Sequence, residues 1–316
     1  KDILKALLFN KVGGVDFRMG IANAATNAGK ALSNDSLVLT ASGWVKISKL
    51  KVGDLVMNPV DGLPVRAIGV YPQGIRDTMK ISFKDGSHTI CDESHIWSVC
   101  SRGRKGKPLI NLTAIEMYNN GVYEERFINR KRGKPGVSKV YKYYTPLTKP
   151  LDFDEKSLPI NPYILGFILG DGCISGKRKT VRVSTNIVDC EEVHNRLIGF
   201  GAELRLGHNY PNKGVNHFNI IGIYDGLLEL GLVGKKSESK YIPDIYLYSS
   251  IDQRKMLLAG LLDTDGTKLN TDRKERGVRF SSKSKELSLG VLNLVRSLGG
   301  WGTIKEKDRT KEGKSK

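Results

Sequence analysis

Two stretches of the sequence, Leu165–Gly172 (LGFILGDG) and Leu258–Gly266 (LAGLLDTDG), decide the fold of this chain. Each stretch is apolar, contains small residues and ends in an Asp-Gly pair. Small residues allow two helices to pack with their backbones nearly in contact. The carboxylates at the helix ends, Asp171 and Asp265, would then meet at one place. A single Asp-Gly pair indicates only a turn, whereas two such pairs predict a site.

The residues after each stretch repeat as well. Val181–Thr185 (VRVST) is echoed by Val278–Ser282 (VRFSS), and each precedes a helical stretch that ends in glycine, at Gly201 and Gly299. The recurring order of helix, Asp-Gly, strand and helix predicts a domain with pseudo-twofold symmetry. The predicted fold class is mixed α/β, with αββαββα repeats of which the second is truncated.

The paired stretches resemble the motifs of LAGLIDADG homing endonucleases. The resemblance implies cleavage of double-stranded DNA at a long, asymmetric target. Asp171 and Asp265 would be catalytic and would hold Mg²⁺, which activates water and stabilises the leaving oxygen. Lys240 matches the basic position of the family's endonuclease block and would stabilise phosphate charge. Alternatively, Lys240 is one more basic surface residue.

The net charge indicates the same partner. Lysine and arginine total 51 against 33 acidic residues, a formal charge of +18, and counterion release makes nucleic acid the default partner of such a surface. A merely soluble basic protein is the alternative. By the resemblance, Arg182 and Arg279 would line the DNA-facing saddle, where arginine reads guanine edges or holds phosphate. The basic residues 101–158 are interpreted as a linker or a further DNA-contact region.

Composition excludes several other classes of protein. A hydrophobic content of 39% and a charged content of 27% fit a soluble globular protein. No apolar run has the length of a membrane span. Four cysteines without a CxxC pair argue against a disulfide scaffold and a zinc site. We expect a monomer in the reducing cytoplasm, with no membrane partner.

Residues Ala24–Lys30 (AATNAGK) form a phosphate-binding loop pattern, AxxxxGK. Gly29 and Lys30 would bind the phosphates of ATP, but the hydroxyl residue that should follow for magnesium is replaced by Ala31. A strand-like stretch follows instead of a helix, so an unrelated segment begins at Ala31. Residues 1–30 resemble the start of a superfamily-two helicase, with a phage DNA-packaging terminase as the alternative host.

From Ala31 the sequence resembles the amino-terminal half of an intein, an all-β Hint-type splicing domain. The first block of that family has an Asp at its fifth position, and Asp35 fits if the block begins at Ala31. The splice junction would therefore lie between Lys30 and Ala31, where the phosphate-binding loop is interrupted. Two independent registers agree on this peptide bond.

A second intein block, Gly86–Trp97, contains His95 at the position of the family's catalytic histidine. The resemblance implies that His95 donates a hydrogen bond to the scissile peptide. Asp92 stands where a threonine is usual. Ala31 lacks the nucleophile that an acyl shift requires, and Trp97 resembles the tryptophan of class 3 inteins, which use a distant cysteine. We favour class 3 over an engineered Cys→Ala change, and Trp97 is otherwise a core aromatic.

The predicted domains are 1–30 (host NTPase), 31–100 (splicing), 101–158 (basic linker or DNA contact) and 159–316 (endonuclease). Splicing itself would need no cofactor. No carboxy-terminal splicing block is present by residue 316. We therefore expect a fragment, inactive alone, whose carboxy-terminal intein half acts in cis, or else one half of a split intein.

Three function classes compete: a splicing and DNA-cutting intein, an ATP-driven helicase or terminase, and a DNA-binding domain without cleavage. The expected DNA target is the intein-free host allele.

Overall fold

The computed structural model describes residues 32–101, 109–128, 136–207, 214–270 and 276–307. Contacts divide the chain into two compact units, with the border between Leu151 and Asp152. Each unit has a hydrophobic core of its own. None of the described helices is both long and apolar enough to span a membrane.

The unit that ends at Leu151 consists of short antiparallel strands and the helix α1. Its elements are β1 (Leu37–Thr40), β2 (Gly43–Lys46), β3 (Leu55–Met57), β4 (Pro64–Arg66), β5 (Thr78–Ser82), β6 (His88–Asp92), β7 (Ile96–Ser101), β8 (Ile110–Thr113), α1 (Ala114–Asn119), β9 (Tyr123–Ile128), β10 (Gly136–Tyr141) and β11 (Tyr143–Tyr144). The strand order is β2-β1-β3-β4 in one sheet and β11-β7-β8 in another, beside the pairs β5-β6 and β10-β9. This architecture agrees with the short strands that the sequence predicts.

Gly62 and Gly86 occupy turns of this unit that require glycine. Gly62 and Gly86 both have a φ of 85°, in the left-handed region that favours glycine. At Gly62 a Cβ atom would also lie 2.1 Å from the carbonyl oxygen of Pro150. Both glycines follow an aspartate, and an Asp-Gly pair is typical of a turn.

The region 101–158, predicted as a linker or a further DNA-contact region, has regular structure of its own. Its described residues form β8 to β11, and β11 pairs with β7 through Tyr143 and Ser101. Leu112 and Tyr143 pack against the core around Trp97. Most of the arginines and lysines that indicated a linker lie in 102–108 and 129–135, outside the described residues. Ala114 and Met117, which lie between these basic stretches, are buried in the same core, and the first unit extends to Leu151.

The unit from Asp152 onward combines helices with antiparallel strands. Its elements are α2 (Pro162–Asp171), β12 (Gly172–Ser175), β13 (Thr180–Asn186), α3 (Cys190–Gly199), β14 (Glu203–Leu206), β15 (Val215–Ile221), α4 (Tyr224–Glu229), α5 (Asp244–Leu247), α6 (Ile251–Asp265), β16 (Gly266–Asn270), β17 (Arg276–Phe280) and α7 (Lys285–Ser297). Strands β12-β13-β15-β14 form a sheet, and β16 pairs with β17. The order α2-β12-β13-α3 recurs as α6-β16-β17-α7, whereas the symmetry that relates the copies stays a prediction.

Local signals define where the two motif helices begin. At α2, the Asn161 side chain accepts from the Tyr163 amide at 2.9 Å and Pro162 occupies the first helical position. At α6, Ser250 and Gln253 form a reciprocal capping box. Because α2 is buried on all sides from Pro162 to Leu169, it lies at the centre of the unit's core.

An extended segment before α2 also belongs to this unit. The Gln253 amide group donates to the Lys156 carbonyl at 2.7 Å and accepts from the Lys156 amide at 3.1 Å. The Tyr246 hydroxyl does the same with Ile160, at 2.7 and 3.1 Å. These bonds satisfy backbone groups that would otherwise be buried without a partner. They explain why the unit begins at Asp152 rather than at the predicted residue 159.

Candidate functional site

The two motif helices, α2 and α6, approach each other at glycines. A Cβ atom on Gly166 would lie 2.2 Å from the Leu257 carbonyl oxygen, and one on Gly260 would lie 2.2 Å from that of Tyr163. Side chains larger than hydrogen would therefore push the backbones apart. One turn further along, a Cβ on Gly170 would lie 1.9 Å from Thr264 Oγ1. The predicted close packing of the two helices is what the structure contains.

The close approach brings the carboxylates of Asp171 and Asp265 to the same end of the pair. Desolvation raises the pKa of both groups, and repulsion by Asp171 raises the pKa of Asp265 further. Lys240 opposes the rise at each carboxylate. Two mutually repelling carboxylates open to solvent fit Mg²⁺, which takes one or two protein carboxylates and completes its shell with water and substrate phosphates. Among the described residues no group of three or more His, Cys, Asp or Glu side chains forms a ready-made metal site.

Lys240 lies beneath the carboxyl end of α2 and is only 4% exposed. Its Nζ donates to the carbonyl oxygens of Ile168 at 2.8 Å, Leu169 at 3.1 Å and Gly172 at 2.7 Å, and also lies 3.2 Å from that of Gly170. A lysine ammonium has three protons to donate, so these carbonyls occupy it. The reading of Lys240 as a basic surface residue is wrong, because the side chain is buried. Its contact with phosphate stays a prediction.

Arg182 lies on the open face of the sheet, where alternation turns its neighbours Val181 and Val183 into the core. Its cross-strand partners are Cys173 on β12 and Asn219 on β15. Arg205 is opposite Asn219 on β14, so two arginines share this face. The exposed Arg279 lies on β17 opposite Thr267, which is the corresponding place in the second copy.

The first unit contains the other predicted site, around His95 and Trp97. Both are buried, at 3% and 5% exposure, and their rings meet edge to face at 5.4 Å. The His95 carbonyl accepts from the Ala114 amide at 2.9 Å. Asp92 is also buried, and its Oδ1 accepts from Ser94 Oγ at 3.0 Å. Trp97 is thus a core aromatic, which does not exclude the class 3 reading.

The chain immediately after the predicted junction lies next to the strand that leads to His95. Leu32 forms an antiparallel bridge with Cys91, and the Ser33 amide donates to the Ile90 carbonyl at 3.0 Å. Leu32 also packs against the core that contains Trp97. Gly29, Lys30 and Ala31, predicted as nucleotide-binding and splice-junction residues, lie outside the described residues.

Comparison with known proteins adds an independent finding for α6, the second motif helix. Residues 252–316 match the LAGLIDADG-like domain. This LAGLIDADG-like segment contains most of α6, with Asp265 and the close-packed Gly260, and continues through β16, β17 and α7. The matched segment is a minority of the chain.

A curated relative matches much more of the chain. Over 286 residues the sequence is 27% identical to "Replicative DNA helicase DnaB" of Mycobacterium intracellulare, and the match covers 88% of this chain and 44% of that protein. The chain therefore spans less than half the length of this relative. Because residues 1–30 are a small part of the matched length, the similarity extends far beyond the phosphate-binding loop pattern.

Two solved structures of the gp41-1 intein are also similar. The first is 25% identical, with 37% of this chain and 78% of that chain covered and a TM-score of 0.25. The second, a substituted variant, is 23% identical, with 37% and 83% covered and a TM-score of 0.24. At TM-scores this low, the likeness carries no argument about the fold.

Sequence reasoning missed a polar cluster beside the LAGLIDADG-like segment's Asp265. Asp263 accepts from the Tyr163 hydroxyl at 2.8 Å and from Arg196 at 2.6 Å. Asp263 and Arg196 border a cleft of about 280 Å³ that Asp171 also lines. The sequence signal for this cluster was Asp263, a second acidic residue within an otherwise apolar motif. Its partners were invisible because they lie 67 and 100 residues away in the chain.

Proposed function

We propose that the unit from Asp152 onward is a LAGLIDADG-type endonuclease that hydrolyses double-stranded DNA. The observation that supports this most is the meeting of Asp171 and Asp265 at the end of a glycine-packed helix pair. Bound Mg²⁺ would activate water and stabilise the leaving oxygen. The repulsion between the carboxylates favours a cation that neutralises both. The helix pair fixes their separation before DNA binds.

Lys240 would contribute to this site from its buried position at the carboxyl end of α2. Its ammonium group neutralises the carboxyl end of α2, where helix carbonyls concentrate negative potential, and it partly offsets the rise that burial causes in the pKa of Asp171. Through the four carbonyls it also fixes the last turn of α2, which ends in Asp171. A direct bond to the scissile phosphate would require Lys240 to release one of these carbonyls.

DNA would bind across the open faces of the sheets. Arg182, Arg205 and Asn219 are adjacent on neighbouring strands, and the net charge of +18 favours a polyanion. Arginine and asparagine are side chains that read guanine and adenine edges in the major groove. We expect each of these arginines to contribute to affinity for DNA, and its loss to reduce the salt dependence of binding.

Nicking of a supercoiled plasmid that carries the intein-free host sequence tests the endonuclease, with Mg²⁺ and the precursor from the complete gene. We expect Asp171→Asn and Asp265→Asn to abolish cleavage and to leave splicing unchanged. Asp252→Asn is the matched control, since Asp252 is 86% exposed at the opposite end of α6, and it should cut normally. Persistent cleavage by either of the first two variants would refute the metal-site assignment. Equal cleavage of intein-containing DNA would refute the proposed target.

We further propose that the unit up to Leu151 is the amino-terminal part of a class 3 splicing domain. In favour of this, the chain after Ala31 pairs with β6, the strand that precedes His95. His95 would act on the Lys30–Ala31 peptide, without a cofactor. In the complete precursor, His95→Ala should leave unspliced protein, seen as one band on a denaturing gel. Sequencing the gene beyond codon 316 tests the class, which requires a downstream cysteine and a Ser or Thr after the terminal Asn.

The host protein would be an ATP-driven helicase interrupted in its phosphate-binding loop. The relative's name favours the helicase over the terminase, and a match over 88% of this chain means that this relative contains a similar segment. Residues Gly29 and Lys30 would bind ATP only after splicing restores the loop. The chain of residues 1–316 should therefore show no ATPase activity, and measurable ATP hydrolysis would contradict this reading.

A further inference from the structure

The carboxylate of Asp263 is shared by three helices. Asp263 lies on the last turn of α6, two residues before Asp265. Its Oδ2 accepts from the hydroxyl of Tyr163, on the first turn of α2, and from Arg196, near the end of α3. Arg196 also pairs with Glu192 one turn earlier on α3. The Tyr163 ring is held by stacking on Phe200, with ring centroids 3.9 Å apart.

Among the described residues, the other copy of the motif has no such cluster. With Gly166 aligned to Gly260, Leu169 takes the position of Asp263 and Leu257 that of Tyr163. With Gly201 aligned to Gly299, Leu294 takes the position of Arg196. These three leucines are at most 1% exposed and belong to the apolar core. One copy therefore has charges where the other has buried leucines.

The carboxyl ends of α2 and α6 are thus held by different side-chain contacts. Lys240 binds the carbonyls at the end of α2, whereas the end of α6 is tied by its own Asp263 to Tyr163 and Arg196. The two ends are in tight contact, since a Cβ on Gly170 would overlap Thr264. In a contact this close, a small displacement of the α6 end changes where Asp265 points relative to Asp171.

We propose that Asp263 and Arg196 are positioning residues that fix the last turn of α6 and hence the direction of the Asp265 carboxylate. The inference rests on the proposed endonuclease in that Asp265 is the group being positioned. Arg196 acts through Asp263 and does not touch the reacting atoms. The planar guanidinium of Arg196 is stiff enough for this task, because one of its nitrogens binds Asp263 while the other binds Glu192, which fixes the direction of the fork.

Amide hydrogen exchange on the full chain tests the inference without metal or DNA. We expect Arg196→Met to speed exchange in the last turn of α6 by about tenfold, while exchange at the end of α2 stays unchanged. Lys240→Met should give the opposite pattern. Arg178→Met is the matched control, since Arg178 is an exposed arginine of the same unit, and it should change neither end. Unchanged exchange at the α6 end in Arg196→Met overturns the proposal. Faster exchange throughout the unit also overturns it, because Arg196 would then serve overall stability.

A second measurement replaces the charged pair with the leucines that occupy the corresponding positions in the other copy. Asp263→Leu combined with Arg196→Leu reproduces Leu169 and Leu294, and should restore slow exchange that Arg196→Met alone loses. In the precursor from the complete gene, Arg196→Met should lower kcat for DNA cleavage about tenfold or more and leave KM unchanged, with partial rescue by Arg196→Lys. If the unsubstituted precursor does not cut, the endonuclease proposal fails, and the exchange pattern still decides the positioning role. If the double-leucine variant loses as much exchange protection at the α6 end as Arg196→Met does, the positioning role is overturned.

Discussion

In the unit from Asp152 onward, apolar side chains from helices, strands and connecting segments merge into one core around α2 and α6. In the unit up to Leu151, the core is a small group around Trp97 and Cys91, and side chains such as Ile68 and Tyr71 are 90% and 75% exposed. Helices with a glycine seam bury both flanks, whereas short two-stranded pairs leave one face open. The stability of the first unit therefore depends on one aromatic cluster, whereas the stability of the second depends on the close approach of two helix backbones.

The largest effect is expected in the small core. Trp97→Ala should lower the free energy of unfolding of the unit up to Leu151 by about 4 kcal/mol, because a large buried side chain leaves a cavity. Urea denaturation followed by circular dichroism measures the change. Trp44→Ala is the control, since Trp44 is 37% exposed, and should cost much less. Equal losses for the two tryptophans would mean that Trp97 is not the centre of this core.

The glycine seam of the other unit should be nearly as sensitive. Gly260→Ala should cost about 3 kcal/mol, because the new Cβ meets the backbone of Tyr163 and forces α2 and α6 apart. Gly199→Ala is the matched helical control, with no atom within 4 Å of its Cβ, and should be neutral or stabilising by about 0.5–1 kcal/mol. Urea denaturation compares the two. A tolerated Gly260→Ala would show that the helices do not pack this closely.

The segment that joins this unit at Asp152 offers a smaller test. Tyr246→Phe removes a fully buried hydroxyl that both donates to and accepts from the Ile160 backbone. Leaving these groups unpaired should cost about 2 kcal/mol and speed amide exchange at Ile160. The exposed Tyr71 provides the control Tyr71→Phe, which should have no effect. Without faster exchange at Ile160, the segment would not be anchored as described.

The smallest expected effect is a gain in stability, rather than a loss, and it depends on pH. Because the pKa of Asp265 is raised in the folded chain, its ionisation destabilises the fold as pH rises from its unfolded pKa through the raised value. In buffer with a chelator, Asp265→Asn should therefore increase stability at pH 7 by about 0.5 kcal/mol, a modest figure because the site is open to solvent. The gain should vanish well below the unfolded pKa. Thermal unfolding at both pH values measures it, and a loss of stability at pH 7 would contradict the desolvation and the repulsion by Asp171 that raise the pKa of Asp265.

Several features of the fold could be predicted because their signals are local. The turn at Asp85-Gly86 requires a positive φ that glycine supplies, and the capping residues Asn161 and Ser250 lie directly before the helices they begin. Around Leu112 and Tyr143, nearby basic residues obscured the short strands, so the sequence left a linker and a DNA-contact region as alternatives. Strand pairing such as β11 with β7 depends on contacts far apart in sequence, which local patterns do not reveal.

For the candidate site, the repeated motif by itself determined that two Asp-Gly helix ends should meet, and small residues at Gly166 and Gly260 determined how closely. Only the tertiary structure decided what surrounds them: Lys240 under the carbonyls of α2, and Tyr163 and Arg196 on the carboxylate of Asp263. The physical reason is that a motif repeats along the chain, whereas a hydrogen bond or an ion pair depends on distance in space. Two sequence copies of one motif can therefore acquire different partners and unequal surroundings.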